Sequence, residues 1–322
     1  MSSILDVPGI QAGHAQRTGD GWLTGVSVVL PAPGTVGGVD VRGGGPGTHE
    51  TDALGPTTLV PTVDAVVLTG GSAFGLVSAS GVQRWCYEQG RGFAVGDDPA
   101  QVVPIVPAAA LFDLGRGGRF DAWPDADLGY AAAKAASRSS AASPLPVGNV
   151  GAGTGALVAG GRFKGGLGSA CISLDGGLSD VRVGALVAVN AAGAPVGCAG
   201  APVGGAAPTV GDAFATTIAV VATNVDLDPA ETSRTATAAH DGMARALDPV
   251  HTLADGDTVF ALATGLRALP GNRRHRVEAL IAVQAAAAHA LTAAIYDAIR
   301  SATPVTTPAG TWPAWPRGGD SA

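Results

Sequence analysis

The chain has 322 residues, 46% of them hydrophobic, which is enough to bury a sizeable core and excludes a chain disordered throughout. Charged residues make up only 14% and the formal charge is −7, so no basic footprint for a nucleic-acid backbone is expected. Aromatics at 5% are too few for a stacking platform, while the 49 glycines and many alanines imply small side chains between closely packed backbones.

The opening stretch MSSILDVPGIQAGH has no basic run followed by an apolar one, so no signal peptide is expected. Nor is a membrane span expected, since charges, Gly and Pro interrupt the apolar stretches. The β-branched runs GVSVVL (25–30) and VDAVVLTG (63–70) predict strands bounded by turn residues. GLVSASGVQRWCYEQG (75–90) predicts a helix stopped by Gly90, and LGYAAAKAASRSSAAS (128–143) one that runs until Pro144 breaks it. LVAVN (186–190) predicts the next strand. From 192 to 215 the chain reads AGAPVGCAGAPVGGAAPTVGDAFA, which holds little that packs. It is either an ordinary surface loop or a place where the chain can be cut without loss of the fold. There follow a strand at TIAVVATN (217–224), a helix over 228–247, a strand at TVFALATG (258–265) and an Ala-rich helix over 274–301. Residues 302–322, rich in Pro and Gly, predict a loose tail. The alternation points to one mixed α/β domain over 1–322, with no internal repeat.

Cys86, Cys171 and Cys198 show no CxxC spacing, and an odd count fits small buried side chains in a reducing cytoplasm. Of the histidines, His14, His49, His240, His251, His275 and His289, no pair stands at i, i+4, so no metal site is expected. NVGAGTGA (149–156) lacks both GK[ST] and GxGxxG spacing, which favours tight backbone packing over a phosphate cradle. GGSAFGL (70–76) lacks the GxSxG frame and reads as a strand-to-helix turn with Ser72 at the helix start. In DGD (255–257) two carboxylates on an extended backbone point to one side. They either orient a hydroxyl, amine or cation or are solvated turn residues. Thr216 and Thr217, at the mouth of an apolar strand, are either β-propensity filler or include a nucleophile.

DVPG..AGH (6–14), NVGAGTGA, KGGLGSA (164–170), ALVAVNAAG (185–193), TTIAVVATN (216–224) and HDGMARALDPVHTLADGDTVFALATG (240–265) together resemble the P1 family of self-processing peptidases. That family includes the L-aminopeptidase/D-amidase-esterases, the β-aminopeptidases and the 6-aminohexanoate-oligomer hydrolases. The resemblance runs from about residue 3 to residue 301. It implies an N-terminal-nucleophile hydrolase with an αββα sandwich, related to the ornithine acetyltransferases, that is made as a precursor and cut by its own Ser or Thr. The family nucleophile stands before AT[ND] in its strand, which here is Thr216, so the implied cleavage lies between Ala215 and Thr216 and gives chains 1–215 and 216–322. Thr217 then has its side chain on the opposite face. The resemblance further implies Asn190, Lys164, Asp255 and Asp257 as catalytic residues and Tyr130 as a substrate neighbour. Without it, Asn190 reads as a strand-end residue and Lys164 as a surface charge. Some members carry Asn or Gly where this chain has Ala215, and the Asp255/Asp257 pair favours the amide-hydrolase branch over the β-aminopeptidases.

These residue types suit the chemistry. A threonine hydroxyl needs a base within hydrogen-bond reach, and cutting before Thr216 frees an α-amine whose ordinary pKa is about 7.7–8.0. The implied activity is release of small amine-bearing residues from short peptides, amides or esters, by a cytoplasmic homo-oligomer without a cofactor. Two alternatives stand beside it: an N-acetyl transferase of the ornithine acetyltransferase type, and a non-catalytic homologue.

Overall fold

In a computed structural model that describes residues 2–197 and 215–316, two five-stranded sheets stack face to face, each covered outside by two helices. The first strands are β1 (Ile10–Gly19) and β2 (Trp22–Pro31). They pair antiparallel across Asp20 and Gly21, both at positive φ (48° and 85°), as a tight two-residue hairpin requires. Next come β3 (Val36–Val41), β4 (Gly47–His49), β5 (Val66–Thr69), α1 (Ser78–Glu88), β6 (Ala108–Ala110) and α2 (Ala126–Ala136). The second half supplies β7 (Gly166–Ser173), β8 (Arg182–Asn190), β9 (Thr216–Val225), α3 (Pro229–Ala246), β10 (Thr258–Arg267) and α4 (Arg273–Ser301). Strand order is β1-β2-β5-β6-β4 in the first sheet and β7-β8-β9-β10-β3 in the second.

Side-chain alternation sorts the two central strands of the second sheet into layers. Leu186, Ala188, Ile218 and Val220 face the first sheet, in a core shared with Leu68, Phe260 and Leu262. Ala185, Val187, Val189, Ala219 and Val221 face the opposite way and pack with residues of α3 and α4. On the far side, Val26, Val28 and Val67 pack against Ala79, Val82 and Trp85 of α1 and Ala132 of α2. The small residues have a steric reason. A Cβ on Gly168 of β7 would stand 2.2 Å from the Ala294 carbonyl oxygen and 2.3 Å from the Ala298 nitrogen of α4, so helix and sheet meet backbone to backbone.

The predicted helix over 228–247 starts at Pro229, because Asp228 accepts from the Glu231 N–H at 2.8 Å and Glu231 accepts from the Asp228 N–H at 3.1 Å. The helix predicted over 128–143 stops earlier, at Ala136. There the Ser137 and Ser139 hydroxyls turn back onto the Lys134 and Ala136 carbonyls at 3.0 and 2.9 Å. Helix α4 is long and apolar enough to cross a membrane by length and composition, and eleven of its residues, from Ala279 to Ile299, are buried in this fold. One expectation needs correction. The predicted loose tail is docked as far as residue 316. It forms a hairpin of β11 (Val305–Thr307) and β12 (Gly310–Trp312), and the Trp315 ring centroid lies 4.7 Å from that of Phe163, with the planes tilted by 57°. Of the stretch 192–215, only 192–197 and 215 are among the described residues, and Cys198 is not.

Candidate active site

Thr216 is the first residue of β9 and lies directly opposite Asn190, the last of β8, in their antiparallel pairing. Directly opposed residues share a face, so both side chains continue the row of Ile218 and Ala188 into the space between the sheets. Thr217 pairs with Val189 and faces the helical layer instead. Thr216, Asn190, Asp255 and Asp257 are all buried.

The Thr216 hydroxyl donates to the carbonyl oxygen of Ala215, the residue before it, at 2.5 Å. The Gly256 N–H lies 3.2 Å from that same carbonyl oxygen and 3.2 Å from the Thr216 hydroxyl oxygen. Ala215 pairs in parallel with Asp255, so the DGD segment runs alongside the bond between Ala215 and Thr216. Neither carboxylate touches the hydroxyl directly. Asp257 accepts from the Thr217 N–H at 2.7 Å with Oδ1, and from the His251 N–H and Nδ1 at 3.0 and 2.8 Å with Oδ2. Asp255 accepts from the Thr252 N–H at 2.7 Å, and burial followed by the charge of Asp257 pushes its pKa up. The glycine run at 43–45 closes over this segment, with Arg42 and Gly43 donating to the Asp257 carbonyl and Gly45 to that of Asp255. A Cβ on Gly43 would stand 2.3 Å from the Asp255 carbonyl oxygen, so only glycine permits this approach.

Asn190 accepts with Oδ1 from the Leu157 N–H at 3.0 Å and from Arg116 Nη1 at 2.6 Å. Its Nδ2 is buried without a hydrogen-bond partner among the described residues. Lys164 is fully buried, and its Nζ donates to the carbonyls of Gly153, Ala156 and Gly165, each at 2.8 Å. Burial, and next the charge of Arg116, push its pKa well below the ordinary lysine value. It braces the backbone of the NVGAGTGA turn. That turn is tight packing, as the sequence reading favours: a Cβ on Gly153 would stand 2.2 Å from the Leu167 nitrogen.

Tyr130 needs correction. It lies on α2, whose inner face is taken by Leu128, Ala132 and Ala136, and its hydroxyl donates to Glu88 of α1 at 2.6 Å beneath the Arg84 guanidinium. That places it in the outer helical layer rather than beside Thr216. Three contributors escaped the sequence reading. Arg116 bridges Asn190 and the Gly155 carbonyl, His251 holds Asp257, and Asp113 accepts from the Gly71 N–H at 2.7 Å. Burial pushes Asp113 up to about 6 and Arg116 down to about 10. The signal available for the first and third was a charged pair in AAALFDLGRGG, directly after an apolar run.

A hydroxyl against a carbonyl, with an N–H on that carbonyl's oxygen and a second, unpartnered amide donor across the strand pair, is equipped for acyl transfer to oxygen. Comparisons with known proteins agree with this chemistry. Residues 2–312 match Peptidase family S58. The chain is 46% identical to an uncharacterized aminopeptidase of Mycobacterium tuberculosis, over 95% of both chains. It is 30% identical to the 6-aminohexanoate-oligomer endohydrolase of a Kocuria species, over 85% of this chain and 79% of that one. Its fold superposes with a TM-score of 0.74, at 24% identity, on the L-aminopeptidase D-Ala-esterase/amidase of Ochrobactrum anthropi, described as a variant of the Ntn hydrolase fold, over 98% of this chain and 91% of that one. The α/β sandwich thus shares the fold of that neighbour, and the chain belongs to peptidase family S58, as a hydrolase of peptide or amide bonds.

Proposed function

We propose that the chain cuts itself between Ala215 and Thr216 and then works as an aminopeptidase or amidase through an acyl-enzyme on Thr216. The observation that carries this reading is the Thr216 hydroxyl 2.5 Å from the Ala215 carbonyl oxygen, with the Gly256 N–H on both. In the first event the Thr216 oxygen attacks the Ala215 carbonyl carbon and the C–N bond breaks. The nitrogen takes up the hydroxyl proton, and Ala215 is left as an ester on Thr216. Water hydrolyses that ester to a carboxylate on Ala215, leaving Thr216 with a free hydroxyl and a free α-amine. In later turnovers the α-amine takes the hydroxyl proton as the oxygen attacks a substrate amide, and passes it to the leaving amine.

Gly256 N–H supports the oxyanion of the first event, and Asn190 Nδ2 supplies a donor for the tetrahedral intermediate, a role worth about 100- to 1000-fold in rate. Asp257 fixes the backbone at Thr217, Asp255 holds the parallel segment, and Lys164 braces the turn beside Arg116. The substrates are short peptides, amides or esters of small amine-bearing residues. The likeness to an oligomer endohydrolase and the Asp255/Asp257 pair favour the amide side. The odd, scattered cysteines support a cytoplasmic setting, and the family resemblance a homo-oligomer.

The test is a denaturing gel of the purified protein with N-terminal sequencing of the smaller piece. Pieces of 215 and 107 residues (322 − 215) are expected, the smaller starting Thr-Thr-Ile-Ala-Val. Thr216→Ala is expected to stay full-length, folded and inactive, while Thr217→Val is still cut. Normal maturation of Thr216→Ala would show that another protease makes the cut and that Thr216 is not the nucleophile.

A further inference from the structure

We propose that Arg116 is a positioning residue, which holds the Asn190 amide with its carbonyl turned away and its N–H₂ group left free to meet a developing oxyanion. This rests on the reading of Thr216 as the nucleophile. A primary amide has two orientations related by a half-turn, and here the neighbours decide between them. Asn190 meets two groups that only donate, the Leu157 N–H at 3.0 Å and Arg116 Nη1 at 2.6 Å, and both reach Oδ1. A half-turn would set the amide's own N–H groups against both donors and leave them all without acceptors. Among the described residues the group left unsatisfied is Nδ2, which is buried. An unpaired buried donor is costly, and a catalytic role is one reason for keeping it.

Leu157 alone would bias the orientation; Arg116 adds a charged donor. A charged donor on Oδ1 makes the stronger hydrogen bond and draws electron density from the amide, which sharpens Nδ2 as a donor. Arg116 is itself held from two sides: its guanidinium also donates to the Gly155 carbonyl at 2.7 Å, and its own carbonyl accepts from the Thr307 hydroxyl at 2.6 Å. Lys164 cannot substitute, because its Nζ donates to three backbone carbonyls.

A purely structural tie between Gly155 and Asn190 would give the same contacts, so the test is a double-mutant cycle. The rate of self-cutting, and kcat and KM on an aminoacyl p-nitroanilide, are measured for wild type, Arg116→Met, Arg116→Lys and Asn190→Ala. The same rates are taken for each Arg116 substitution combined with Asn190→Ala. Arg116→Met is expected to lower kcat by about 10- to 100-fold with KM within about threefold, a smaller loss than removing the donor itself. Arg116→Lys, which keeps a charged donor, is expected to recover most of it. In the Asn190→Ala background either substitution is expected to change kcat by less than about threefold. Equal losses in both backgrounds, or no recovery by a normally folded Arg116→Lys, overturn the proposal. If Arg116→Met does not fold, Arg116→Gln, which removes the charged donor but keeps a polar side chain, takes its place in the cycle and in the crystal arm. An arm independent of turnover is a crystal structure of Arg116→Met in the uncut Thr216→Ala chain. An Asn190 amide with unchanged orientation and order overturns the role, and a turned or disordered one supports it. Wild type that neither cuts itself nor hydrolyses the anilide would sink the Thr216 reading instead, and the crystal arm would still judge Arg116.

Discussion

Two adjacent threonines divide their work because strand side chains alternate. Thr216 shares a face with Asn190 between the sheets, while Thr217 faces the helices and its N–H is pinned by Asp257. Gly256 completes the group with its backbone N–H, and its lack of a side chain is part of the site. A Cβ there would stand 2.8 Å from the Thr216 hydroxyl oxygen, 3.1 Å from its methyl and 3.0 Å from the Gly45 carbonyl oxygen. Gly256→Ala is therefore expected to push the hydroxyl from its place and slow self-cutting by about tenfold or more, since roughly an ångström of misplacement costs on that order. A time course on a denaturing gel reads it, and cutting at the wild-type rate would mean that the hydroxyl does not need this position. Ordered motifs single out Thr216, Asn190, Lys164, Asp255 and Asp257, and the structure sets Thr216 opposite Asn190 with the DGD segment alongside. No motif singles out Arg116, because its partner Asn190 lies 74 residues away and no local spacing announces the contact. Gly256 acts through a backbone group, which carries no side-chain signature at all.

Among the elements, those buried on both faces were plain in the sequence. The cores of β9 and β10 read as unbroken apolar runs because each lies inside a covered sheet. The strands β1 (IQAGHAQRTG) and β7 (GLGSACIS) were missed, and the reason is close packing rather than weak pairing. A Cβ on Gly13 would stand 2.2 Å from the Ala136 nitrogen of α2, so the position that touches a helix backbone must be glycine, the residue that most weakens a strand signal. The tail was misread for a related reason. Its prolines and glycines suggest looseness, yet Trp315 is 6% exposed against Phe163, and the Pro313 carbonyl accepts from the Lys164 N–H at 2.8 Å. Trp315→Ala is expected to cost about 3 kcal/mol, at the low end for loss of a buried tryptophan because the site lies at the edge of the core. Urea unfolding checks this, and a loss within about 0.5 kcal/mol, the size of an ordinary surface change, would mean that the arm contributes nothing to the fold.

At the scale of the whole molecule, the layered packing of small residues buries ionisable groups that open folds would leave in water, and these make stability depend on pH in both directions. Burial pushes His14 and His240 down to about 4, with the Pro146 carbonyl pulling His14 back and the Asp40 carbonyl doing the same for His240. Burial pushes Asp113 up to about 6 against the opposing pull of Thr24 and Arg116. Between about pH 6.5 and 4 an unfolded chain protonates these histidines while the folded chain does not, so their contribution is complete above pH 6.5 and declines on acidification. Asp113 has the opposite sign. Between pH 3.8 and about 6 the folded chain holds a proton that the unfolded chain releases, so its contribution is complete below pH 3.8 and declines as pH rises. Single substitutions separate the two. His14→Asn keeps a polar group beside the Ser27 hydroxyl, which lies 2.9 Å from Nδ1 in the wild type, and is expected to make stability fall less steeply between pH 6.5 and 4. Asp113→Asn removes the opposing gain and is expected to make the fall steeper between pH 6 and 3.8, in each case by up to about 1.4 kcal/mol per pH unit, the slope of one proton. The measurement is urea unfolding of the Thr216→Ala chain at half-unit pH intervals, so that cutting does not intervene. Slopes that both move the same way, or do not move, would mean that water reaches these groups in the folded protein.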